Sequence, residues 1–169
     1  LCLLDGGGIR YQTLYKMYKK QVSCFWTVEE IDFSQDSKDF VNAPEPVKRM
    51  IEHILSFFSI ADAIVMANIS GSFLCVVTAP EAILFYSAQN FIEGVHAETY
   101  GESIAALIPD AEEQKQLLQN TPKFAAVRAK KAFAENWMNS DRPFEEILVA
   151  FAMVEGLLFS ASFTCIYWL

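Results

Sequence analysis

The sequence predicts an all-α fold, and three observations carry that prediction. Only seven Gly and six Pro occur among 169 residues, and the run Gly6-Gly7-Gly8 takes three of the glycines, so helix breakers are scarce elsewhere. Apolar residues recur at helical spacing over long stretches, and no stretch alternates with the period of a half-buried strand. Helix-start signals precede most of those stretches. With 53% hydrophobic and 14% aromatic residues, a chain of this length can bury a sizeable core as one domain.

Taken in order, the first predicted helix lies near 11–24. Thr27-Val28-Glu29-Glu30 reads as a capping box, in which hydroxyl and carboxylate satisfy orphan amides reciprocally, and a turn-rich segment runs from Thr27 to Pro46. Long helices follow near 46–74 and 79–108, the second opened by Thr78-Ala79-Pro80-Glu81, with Pro where no N–H is missed. Asp110 and Glu113 start a shorter helix near 110–120, and another spans about 122–138. Asp141, Pro143 and Glu145-Glu146 start the last, near 143–169. It stops at Tyr167-Trp168-Leu169 inside an apolar pattern, without the Gly, Asn or basic last turn that ends helices, so a cut is expected there. No repeat or linker divides residues 11–169, which read as one domain behind an atypical lead-in, residues 1–10.

A net charge of −8 and a pI near 4.7 argue against a nucleic-acid partner, which clustered Lys and Arg would serve. Lys19-Lys20 and Arg128 to Lys131 are short and read as solvated helix faces. Cys2, Cys24, Cys75 and Cys165 form no C-x-x-C pair, so neither a zinc knuckle nor a disulfide framework is expected, and a reducing cytoplasm is the natural setting. No basic segment followed by an apolar run marks a signal peptide. Ile147 to Leu169 is long enough to span a bilayer and carries one charge, Glu155. A central charge without flanking Lys or Arg favours a fully buried bundle helix over a membrane span.

Chemistry concentrates on three helices. Glu93-Phe-Ile-His96 is an E-x-x-H motif, and Tyr100 falls between Glu93 and His96 in helical angle, so carboxylate, imidazole and phenol share one stripe. Asp62 and Glu155 are each the only charge in a long apolar helical run, where an ionised carboxylate needs a partner or a metal. Ferritin-like bundles hold two metals with an E-x-x-H from each of two helices and one carboxylate from each of two others, and iron and manganese accept such donors. Taken singly, Glu93 and His96 suit a helix surface, and Tyr100, Trp26, Phe159 and Phe163 suit a core. His53, nine residues before Asp62, reads as structural.

From Tyr11 to Leu169 the chain resembles the small, radical-generating subunit of class I ribonucleotide reductase, closest to eukaryotic-type members. The resemblance rests on YKMYKKQVSCFWTVEEIDFSQD, FFSIADAIV, AILFYSAQNFIEGVHAETY and VAFAMVEGLLFSASFTCIYWL, with FWT-x-EE-x-D and the order Asp, E-x-x-H-x-x-x-Y, V-E-G most distinctive. It implies a ferritin-like helix bundle, incomplete at its C-terminal side, with two iron ions (or manganese) as cofactor. Asp62, Glu93, His96 and Glu155 would be metal ligands and Tyr100 the residue oxidised to a stable radical. Trp26 would lie on the electron-transfer route, with Phe159 and Phe163 near the radical. The partners implied are a large catalytic subunit and a second copy, as a homodimer.

The family's second E-x-x-H and its docking tail are absent from these residues. Four of six ligands are thus expected here, with weak metal binding and no stable radical from the chain alone. The lead-in, Leu1 to Arg10, is similar to the DGGGIRG oxyanion-hole loop of patatin-like phospholipases. No G-x-S-x-G elbow accompanies it, and Gly101-Glu-Ser103-Ile-Ala105 continues a predicted helix. Two other readings remain: a di-metal oxidase or storage bundle with no reductase partner, and a membrane-anchored helical interaction protein.

Overall fold

A computed structural model of the chain describes residues 8–138 and 141–169. Most of the glycine-rich lead-in, including Cys2, lies outside the described residues. Among the described residues eight α-helices run α1 Gln12–Ser23, α2 Ser34–Asn42, α3 Glu45–Asn68, α4 Pro80–Leu107, α5 Ala111–Asn120, α6 Ala125–Met138, α7 Phe144–Met153 and α8 Ser160–Trp168. No strand occurs among the described residues. The fold is all-α, a ferritin-like helix bundle.

The centre is the pair α3 and α4. Their contacts run Phe73 with Tyr86, Met66 with Gly94, Asp62 with Glu93, and Phe58 with Tyr100, one number falling as the other rises, so the helices are antiparallel. α4 also meets α1, α2 and the 3₁₀ turn Val28–Glu30, which is why it carries apolar residues around much of its circumference. α6 packs on α3 and α7 on α6, closing the other side. Phe58, Val65, Ile69 and Phe73 are almost wholly buried, and burying such side chains contributes about 1.5–3 kcal/mol each.

Helix starts were legible where a local cap works alone. Asp110 Oδ1 accepts from the Glu112 and Glu113 amides at 2.9 Å, and the Thr27 amide donates to Glu30 Oε1 at 3.0 Å. The box expected at Thr78 does not form. Buried Glu81 instead accepts from the Arg10 and Tyr11 amides at 2.7 and 3.3 Å, tethering the residues that lead into α1 from across the fold. Asp141 caps nothing; α7 starts after Pro143 without a side-chain cap. The segment expected to be turn-rich contains α2, anchored by Phe40 alone. One buried apolar residue in nine gives no periodicity to read.

Two long helices are interrupted by π turns. Ile69–Phe73 continues α3, and Val154–Leu158 joins α7 to α8. The last segment is not the fully buried helix expected. Ile147, Ala150, Phe151, Val154 and Phe159 face the core, whereas Leu157, Tyr167 and Trp168 are 62%, 82% and 78% exposed. Glu45–Phe73 and Phe144–Trp168 are long and apolar enough to cross a membrane, by length and composition only.

Candidate metal centre

α3, α4 and the π turn after α7 converge on a cavity of about 260 Å³. Asp62 enters from α3, Glu93, His96, Thr99 and Tyr100 from α4, and Glu155, Phe159 and Phe163 from the last segment. Trp26 closes it from the connection after α1. The four expected ligands, the tyrosine and the tryptophan therefore meet at one place.

One ligand atom each from Asp62, Glu93 and His96 lies within 4.8 Å of the other two. His96 Nδ1 is 3.1 Å from Glu93 Oε2. Asp62 is 4% exposed and Glu93 8%, and His96 and Glu155 are half-buried. Asp62 Oδ2 and Glu155 Oε1 are buried without any hydrogen-bond partner. Orphaned carboxylate oxygens are costly in a folded core. Carboxylate and imidazole donors converging around such orphans fit one or two hard or borderline divalent cations.

Electrostatics report the same crowding. Burial, followed by repulsion from Glu93, pushes the Asp62 carboxyl up to about 7, with His96 opposing. Burial, then Glu93 and Asp62, pushes Glu155 up to about 7, again against His96. The hydrogen bond to Glu93 raises the His96 pKa, and attraction to Glu93, Asp62 and Glu155 adds to it against desolvation. Burial and the same three carboxylates raise the Tyr100 phenol. Without a cation, the site holds its charge down by holding protons.

The aromatic shell is specific. The Trp26 ring stacks on His96 at 5.9 Å between centroids and 25° between planes. Tyr100 packs on Phe58 at 5.1 Å, and Phe58 also meets Phe159 and Phe163 at 5.7 and 4.9 Å. Phe58 and Thr99 were not singled out from the sequence, although Phe58 lies one turn before Asp62 on the same face. The Thr99 hydroxyl donates to Val95 O at 2.7 Å.

Other candidates lie elsewhere. His53 is exposed, lies outside the cavity and meets Phe124 edge-on at 4.8 Å. Ser103 donates to Thr99 O at 2.7 Å within α4, so no nucleophile elbow forms there. Cys24, Cys75 and Cys165 are free thiols. Lys130, expected on a solvated face, is half-buried with its ammonium against Leu158 O.

Residues 8–169 match the family model of the ribonucleotide reductase small chain. A ribonucleoside-diphosphate reductase small subunit of Plasmodium falciparum is 44% identical over 160 residues, 95% of this chain and 50% of that protein. The corresponding protein of Nicotiana tabacum is 38% identical over 161 residues, 95% of this chain and 49% of that protein. The chain thus spans about half the length of the curated relatives it matches. Among solved structures, a ribonucleotide reductase homodimer of Saccharomyces cerevisiae matches with TM-score 0.87 and 28% identity, over 95% of this chain and 51% of that one. The dimanganese(II) NrdF of Streptococcus sanguinis matches with TM-score 0.86 over 98% of this chain and 58% of that one, and at 17% identity it speaks to the fold alone.

Proposed function

The chain belongs to the ribonucleotide reductase small-chain family, and from that membership we propose that it carries the radical-generating half-site of a ribonucleoside-diphosphate reductase. Asp62, Glu93, His96 and Glu155 are the metal ligands in this reading, Tyr100 the radical residue and Trp26 the electron relay. The observation that carries it is the convergence of three ligand atoms within 4.8 Å, in a cavity shared with Glu155, Tyr100 and Trp26.

When bound, a pair of iron or manganese ions supplies the oxidising power, drawn from dioxygen, that takes an electron from a phenol. The chain's own residues set the conditions for that step. The Tyr100 phenol is held protonated by burial and by the neighbouring carboxylates, so its electron must leave together with the Oη proton. Asp62, in the same cavity and deprotonated once a cation is bound, is the acceptor we assign to that proton. Phe58, Phe159 and Phe163 exclude water and reductants from the ring. Trp26, stacked on His96, gives the hole a path of π orbitals towards the large catalytic subunit, where the nucleotide is reduced. The working assembly is a homodimer of small subunits with that partner, in the cytoplasm.

Calorimetric titration with Fe(II) or Mn(II), followed by electron paramagnetic resonance after exposure to air, tests the proposal. The chain alone is expected to bind weakly and to give no stable tyrosyl signal, since it offers four of the six ligands implied by family resemblance. Glu93→Gln and His96→Ala are each expected to cut affinity by about 10-fold or more, with helical content unchanged. Affinity indifferent to both substitutions would overturn the assignment of the ligands.

A further inference from the structure

The basic run on α6 divides in two. Arg128 and Lys131 are exposed, whereas Lys130 is half-buried. Its ammonium lies 4.3 Å from the centroid of the Phe57 ring and donates to the carbonyl oxygen of Leu158 at 2.5 Å. A charged donor on a carbonyl is stronger than a neutral one, and the ring face adds attraction where water is excluded. Desolvation also lowers the lysine pKa, so these contacts hold the charge in place against a real cost.

Leu158 is the last residue of the π turn Val154–Leu158 that carries Glu155. Beyond it the α ladder resumes where the Phe163 amide donates to Phe159 O at 3.1 Å. The Leu158 carbonyl therefore sits at the seam between two helical registers. A π turn inserts one residue into a helix and rotates the two sides relative to each other by about 100°. An unbroken apolar run fits either register, so contacts from neighbouring elements decide between them. α6 gives no residue to the cavity lining; Val127 and Ala134 meet Val154, Leu158 and Phe159 through apolar packing, and Lys130 adds the polar contact, to the turn's last carbonyl.

We propose that Lys130 is a positioning residue for Glu155: its ammonium clamps the seam of the π turn and keeps the Glu155 carboxylate turned into the cavity with Asp62, Glu93 and His96. Without the clamp the segment relaxes towards a regular α register, which swings Glu155 away from the other three. The structural half of this claim stands alone. Its consequence for metal binding rests on the ligand assignment above.

The full chain is compared with Lys130→Met, which keeps the stem and removes the ammonium, and with Lys130→Arg, which keeps a cationic donor. In the metal-free protein, hydrogen exchange of the amides at 155–163 is expected to accelerate about 10-fold in Lys130→Met, with α4 unchanged and Lys130→Arg close to the parent. Parental exchange at 155–163 in Lys130→Met overturns the clamp. Mn(II) affinity is expected to fall about 10-fold in Lys130→Met and as much or more in Glu155→Gln. An affinity lost in Glu155→Gln but kept in Lys130→Met overturns the positioning role. An affinity kept in both removes Glu155 from the ligand set, and the exchange measurement still decides the clamp. Should Lys130→Met not fold, Lys130→Gln, which keeps a neutral donor on a shorter stem, is measured in its place with the same expectations.

Discussion

Asp62 and Glu155 each titrate at about 7 in the folded chain, against roughly 4 for free carboxyls. A carboxyl whose folded pKa lies above its unfolded one holds its proton more tightly in the native state. Its contribution to stability is fully present below pH of about 4 and is lost as pH rises to about 7. The raised His96 pKa acts in the same sense, since its stabilisation fades as pH climbs past the folded value. Thermal melts of the metal-free chain should therefore show Tm falling between about pH 4.5 and 8. Asp62→Asn and Glu155→Gln should flatten that fall and raise stability at about pH 8 by roughly 1–3 kcal/mol each. A Tm that climbs over this range in the parent would contradict the burial of these groups. Metal affinity must run the other way, rising with pH as the ligands shed protons. Titrations in two buffers of different ionisation enthalpy would count the protons released.

At the scale of elements, α1 and α4 are tied by a carboxylate that local sequence assigns elsewhere. Glu81 follows Thr78 at capping-box spacing, but its Oε1 serves the Arg10 and Tyr11 amides. Glu81→Ala should cost about 2 kcal/mol and free the first turn of α1, visible as faster amide exchange at Gln12 to Tyr15. Asp110→Ala removes a cap that works entirely within α5 and should cost about 1 kcal/mol in denaturant unfolding. Phe58 joins the core to the cavity through Phe57, Tyr100, Phe159 and Phe163. Phe58→Ala should cost about 3–5 kcal/mol. The start of α5 was legible because Asp110 acts on amides of its own first turn, and those of α3 and α4 because Pro stands in the first turn. α2 was hidden because Phe40 alone anchors it. The π turns were hidden because an unbroken apolar run such as the one around Val154–Leu158 fits either register.

The whole molecule leaves apolar faces uncovered. Val22, Phe25 and Phe91 are exposed on α1, the turn after it and α4, and Leu157, Tyr167 and Trp168 on the last segment. Contiguous patches of this kind mark surfaces that meet another protein or a membrane. The two apolar helices that could span a bilayer turn Asp62 and Glu155 into one shared polar cavity, and a bilayer would strongly disfavour those carboxylates. The chain is therefore expected to remain with the aqueous fraction when floated with lipid vesicles, and to sediment in water as a self-associated species. Flotation with the vesicles would revive the membrane-anchored reading.

By itself the sequence determined the helical class, most helix boundaries and which side chains meet in the cavity. A helix's period fixes which residues share a face, and a lone charge in an apolar run declares itself by its cost. Tertiary packing alone decided which faces meet. The antiparallel register of α3 and α4 brings Asp62 to Glu93 and His96, and the π turn after α7 brings Glu155 to the same cavity. Those outcomes depend on contacts between residues tens of positions apart, to which no local period or cap refers.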